Sequence, residues 1–104
     1  MTDRIYSRSI GIVLNAINDI VELQKAKLTF SDTKNGKINF MVTMYANERE
    51  FCFTVTDLGN KRSRVCLEVS GEQSGGDDVV LRELSLLDSM IATCEEIEAA
   101  KKAL

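Results

Sequence analysis

The chain has no histidine, no proline and only three cysteines in 104 residues, and no purely apolar run exceeds three residues, as in Ile12-Val13-Leu14. Each shortage removes a class of function. Without histidine, Ser-His-Asp and Cys-His catalysis are excluded outright. Zinc would need four ligands from scattered cysteines and carboxylates with no Cys-x-x-Cys, so neither a metal nor any other cofactor is expected. An odd number of widely spaced cysteines argues against a disulfide framework and for a reducing compartment, which makes a cytoplasmic location the expectation. No basic region leads into an apolar stretch, so neither a signal peptide nor a membrane span is expected. Without proline, slow prolyl isomerisation cannot limit folding.

What remains is an ordinary globular composition, 44% hydrophobic with a net charge of −3, and a length that suits one domain spanning residues 1–104. The charge is unevenly placed. Residues 1–36 and 37–70 each carry five Lys/Arg against four Asp/Glu, whereas residues 71–104 carry three against eight, a local net of −5.

The clearest pattern is a two-residue alternation from Lys37 to Ser70. Ile38, Phe40, Val42 and Met44 fall on one side of a first strand, Phe51, Phe53 and Val55 on one side of a second, and Val65, Leu67 and Val69 on one side of a third. Leu28 and Phe30 supply a shorter strand before the turn signal Asp32-Thr33-Lys34-Asn35-Gly36. Short connections make these four strands an antiparallel meander. Face parity predicts the registers, because a one-residue slip would turn every side chain over. A three-residue loop Lys34-Asn35-Gly36, with Gly36 left-handed, sets Phe30 opposite Phe40 and Leu28 opposite Val42. An even loop then sets Met44 opposite Phe51 and Val42 opposite Phe53. The loop Leu58-Gly59-Asn60, with Asn60 left-handed, sets Phe53 opposite Val65 and Cys52 opposite Cys66. Shifting that loop to Gly59-Asn60-Lys61 would instead place Cys52 opposite Glu68.

Two helices are expected to cover the apolar face. From Thr2 to about Gln24, Ile10, Val13, Leu14, Ile17, Ile20 and Val21 recur at helical spacing, with a strand over Ile10 to Leu14 as the fallback. After Gly71-Glu72-Gln73-Ser74-Gly75-Gly76, Asp77-Asp78 can cap a second helix continued by Val80, Leu81, Leu84, Leu87, Ile91, Cys94 and Ile97. The rival reading makes Val79 to Leu86 a fifth strand. The expected architecture is therefore α+β and two-layered: a helix, a four-stranded antiparallel meander and a long C-terminal helix, with both helices on one face of the sheet.

No catalytic site is expected, and the protein is read as a non-enzyme. Asp77-Asp78 reads as a cap and Glu95-Glu96 as a solvated helix face rather than as an acid and base pair. Ser74-Gly75-Gly76 lacks the lysine of a phosphate cradle and is followed by two aspartates, so it reads as a flexible loop. The open sheet face carries more information. Met41, Thr43, Tyr45, Cys52, Thr54, Thr56 and Cys66 are neither strongly apolar nor strongly charged, and Lys27, Lys37, Arg62 and Arg64 border them. Tyr45 could stack on a base while Arg62 and Arg64 follow a phosphate backbone. In element order the chain resembles Whirly-type and transcriptional-coactivator single-strand binders, whose four-stranded sheets precede a helix; the likeness is one of layout, without a shared motif.

A helix from Val79 to Lys102 would run roughly 36 Å, against about 27 Å for an eight-residue strand, so its end should overhang. Cys94, Ile97 and Leu104 would then seek a partner, and a second copy is the commonest one. The leading expectation is a homodimeric, macromolecule-binding (protein-interaction) module. Single-stranded nucleic-acid binding on the open face, through Tyr45, Arg62 and Arg64, is the first alternative. The second is an acidic inhibitor whose Glu95, Glu96 and Glu98 imitate a phosphate row, beside the candidate contacts Cys94 and Ile97.

Overall fold

The computed structural model describes residues 2–44, 47–70 and 77–103, with residues 44, 47, 70, 77, 78 and 94–103 described by their backbone alone. The chain forms β1 (Thr2–Tyr6), α1 (Ile10–Leu23), β2 (Lys27–Asp32), a short 3₁₀ turn (Thr33–Asn35), β3 (Lys37–Met44), β4 (Asn47–Gly59), β5 (Arg62–Ser70) and α2 (Asp77–Ala103). The sheet has five antiparallel strands in the order β1-β5-β4-β3-β2. The α+β class and the β2 to β5 meander are as expected, but the strand count is not. Thr2–Tyr6 is a strand against β5 rather than the first turns of a helix, pairing Arg4 with Val65 and Tyr6 with Ser63. Its alternation is hard to see because Ile5 points outward, 59% exposed, while polar Arg4 occupies an inward position.

Helix α1 begins where the apolar periodicity does, after Ser9 in extended conformation, and buries Val13, Leu14, Ala16, Ile17, Ile20 and Val21. It stops at a left-handed residue, Lys25 at φ 54°, where glycine is usual. The Lys25 amide donates to the Glu22 carbonyl and the Ala26 amide to the Val21 carbonyl, closing the helix end. In β3, β4 and β5 the buried apolar side chains are ones the alternation predicts. Ile38, Phe40, Val42, Phe51, Phe53, Val55, Val65 and Leu67 are buried and share one cluster with the buried residues of α1 and with Val80, Leu84, Leu87 and Ile91 of α2. Phe40 stacks between Phe51 and Phe53, with centroids 5.6 and 5.8 Å away. Full burial of one such side chain stabilises by roughly 1.5–3 kcal/mol, so this cluster dominates the favourable side of folding.

All three expected registers shift. Asp32 pairs with Lys37, leaving a four-residue connection in which the Asp32 carboxylate accepts from the Asn35 amide and Gly36 is left-handed at φ 71°. An even connection turns the wrong face of β2 inward, and a bulge at Thr29 corrects it. That connection leaves Phe30 opposite Asn39 on the open side, while the bulge returns Leu28 to the core side opposite Phe40; on this outermost strand the two expected core residues are 47% and 48% exposed. Between β3 and β4 the loop is even, as expected, but shorter: Met44 pairs with Asn47, and Phe51 meets Phe40 rather than Met44. Between β4 and β5 the turn is Asn60-Lys61, both residues at positive φ, which is the type I′ geometry favoured by strand twist. A bulge at Leu58 restores parity, and Cys52 faces Glu68 while Cys66 faces Thr54. The Cys52 to Cys66 pairing is therefore corrected, and the partner found for Cys52 is the one expected from the shifted loop.

Helix α2 starts at Asp77 as expected, and Val79 to Leu86 is helical, not a strand. Among the described residues no helix is long and apolar enough to cross a membrane. The expected flexible loop over 71–76 and the residues Tyr45 and Leu104 lie outside the described residues, as do the side chains of Cys94, Glu95, Glu96, Ile97 and Glu98.

Candidate interaction surface

The face of the sheet opposite the core is built from β1 to β5 by the odd residues of β3 and the even residues of β4 and β5. Its central row is Arg64, Cys66 and Glu68, beside Glu50, Cys52 and Thr54, beside Lys37, Asn39 and Met41. Arg62 and Arg64 are both exposed. Arg64, however, is ion-paired to Asp3 of β1. The hydrogen bond from Arg64 holds the Asp3 carboxyl below its ordinary range, and the carboxylate in turn raises the guanidinium. Thr29 donates to Glu50 at 2.8 Å across β3. The face thus mixes Lys27, Lys37, Arg62 and Arg64 with Asp3, Asp32, Glu48, Glu50 and Glu68, and among the described residues has no continuous positive track.

The Cys52 and Cys66 thiols on this face are both held toward the protonated form. Burial, reinforced by Glu50 and Glu68, pushes the Cys52 thiol up. Burial also raises Cys66, followed by its contact with Asp3. Less thiolate means slower reaction.

Two polar clusters tie α2 to the rest of the fold. Arg4 of β1 is ion-paired with Asp88, whose other oxygen accepts from the Tyr6 hydroxyl at 2.5 Å. Burial, then the bond to Asp88, raises the Tyr6 phenol above its ordinary value. Deeper in, Glu83 is 0% exposed, and its Oε1 accepts from Gln24 Nε2 at 2.6 Å. Burial raises the Glu83 carboxyl, opposed by the Gln24 bond and by Arg82. Gln24 also lines a shallow cleft of about 270 Å³ with Lys25, Ala26, Lys27, Met41, Val42, Thr43 and Glu48. Neither cluster was singled out from the sequence. A signal for Glu83 was present, since position 83 falls three after Val80 and four before Leu87, inside the apolar stripe of α2.

Among the described residues no three histidine, cysteine or acidic side chains are grouped to hold a metal ion. The large apolar side chains left in solvent are more informative. Ile5, Leu28 and Phe30 belong to the sheet's two edge strands, with Ile5 and Phe30 on the open face. No family model matches the chain, and no curated protein matches it either.

Proposed function

We propose that the protein is a non-enzymatic, cytoplasmic protein-interaction module that acts as a homodimer, with both helices backing one face of the sheet and the opposite face and its edges as the working surface. The observation that carries this reading is the exposure of Ile5, Leu28 and Phe30, at 59%, 48% and 47%, on edge strands that end the sheet. Exposed apolar side chains beside unpaired strand backbone are the ingredients of strand-to-strand association. The mixed charge of the open face supports a protein partner over a single-stranded nucleic acid, since Arg64 is engaged by Asp3 and five carboxylates share the surface. The reading as an acidic inhibitor rests on the −5 of residues 71–104.

Affinity capture from the native cell, with and without nuclease, tests the proposal when run beside a Phe30→Lys variant. A partner retained after nuclease and lost with Phe30→Lys supports it. A partner lost on nuclease treatment transfers the function to nucleic acid, and one lost only on charge reversal of Glu95, Glu96 and Glu98 transfers it to the acidic helix.

A further inference from the structure

Strand β2 ends the sheet, with β3 on one side and, among the described residues, no strand on the other. Five of its six residues are exposed. Its face pattern is unusual, and the bulge is the cause. Lys27 faces Met41, Phe30 faces Asn39 and Asp32 faces Lys37, all on the open side; Leu28 faces Phe40 and Ser31 faces Ile38, both on the core side. Thr29 reaches Glu50, so it too lies on the open side. From Lys27 to Asp32 the order is open, core, open, open, core, open. The same order is read from either end.

A regular six-residue strand alternates, so turning it end for end exchanges its faces. The bulged β2 does not suffer this exchange. Laid antiparallel against a copy of itself, it sets Lys27 opposite Asp32, Leu28 opposite Ser31 and Thr29 opposite Phe30, every pair on a common face. The charges agree with the register, because the positive end of one strand meets the negative end of the other, twice. Asp32 is held in place for this by Asn35, whose Nδ2 donates to it at 2.7 Å. The β1 edge also keeps its faces on reversal, but its charges do not agree: its fully overlapped self-pairing would set Arg4 against Arg4.

We propose that two copies of this chain join their sheets through β2, antiparallel, about a twofold axis between Thr29 and Phe30. The contact rests on the homodimeric reading above and names the surface for it. It continues the sheet through ten strands and covers Leu28 and Phe30, the two large apolar side chains of β2, both about half exposed.

Sedimentation equilibrium of the full chain at low salt, compared with Lys27→Glu, is the first measurement. Lys27 is exposed, so circular dichroism should not change. The substitution turns two attractive cross-strand pairs into repulsive ones and is expected to weaken the dimer about tenfold. The second measurement fixes the register. With Cys52, Cys66 and Cys94 replaced by serine, Leu28→Cys chains mixed with Ser31→Cys chains should be joined by a short thiol crosslinker, and neither alone should be. A monomeric wild type overturns both this contact and the homodimeric reading. A dimer indifferent to Lys27→Glu, or one lacking the mixed crosslink, overturns the β2 contact and leaves the homodimer standing on another surface.

Discussion

Replacing Glu83 by glutamine should stabilise the protein, and more so as pH rises. The carboxyl is 0% exposed, one oxygen accepts from Gln24 Nε2 at 2.6 Å, and two atoms of the pair, Glu83 Oε2 and Gln24 Oε1, are buried with no partner. Both are acceptors while the acid is ionised. A proton on Oε2 would let it donate to Gln24 Oε1 and close a two-bond ring between acid and amide. Burial pushes the group in the same direction, above its ordinary 4.5. Folding therefore binds a proton in the interval between the unfolded and folded values. The contribution to stability is fully present below the unfolded value and is lost as pH rises through the folded one.

Glutamine at position 83 keeps the shape and supplies the donor permanently. An unmatched buried polar group costs about 1–3 kcal/mol, so the variant should exceed wild type by about that amount near pH 9, with little difference near pH 4. For a domain of this size that corresponds to a rise in Tm of very roughly 4–8 °C per kcal/mol. Urea titrations of both proteins across the pH range read the difference directly, since every other titrating group cancels in the comparison. A difference independent of pH, or a variant less stable than wild type at high pH, would refute the protonated pair.

Lys25→Gly should stabilise by about 0.5–1 kcal/mol, because Lys25 closes α1 at φ 54° where a side chain is strained; a thermal melt checks this, and a loss of stability contradicts it. Gly36→Ala should cost about 2 kcal/mol or more, since a Cβ there would sit 2.1 Å from the Val55 carbonyl oxygen at a residue with φ +71°, and a neutral result in urea would show that β4 yields easily. Mild oxidation should not link Cys52 to Cys66. They are diagonal neighbours, facing Glu68 and Thr54, about 7–8 Å apart and beyond ordinary disulfide reach, so peptide mapping that finds the bridge would contradict the register.

The period-two alternation from Ile38 to Leu67 and the 3.6-residue spacing in α1 and α2 were enough to determine the α+β class, the meander and eight of the sheet's buried residues, because burial of one face is a local property of each strand. Loop parity was legible only as odd or even, and the 3₁₀ turn at Thr33–Asn35 and the bulges at Thr29 and Leu58 each changed it by one. Such changes arise from hydrogen bonds such as Asn35 to Asp32 and Gly59 to Asp57, whose competition with strand pairing no periodicity records. Strand β1 was decided wholly in three dimensions. Arg4 can face inward only because Asp88, 84 residues later, meets it there, and Phe30 lies on the open side because the four-residue connection sets Asp32 opposite Lys37.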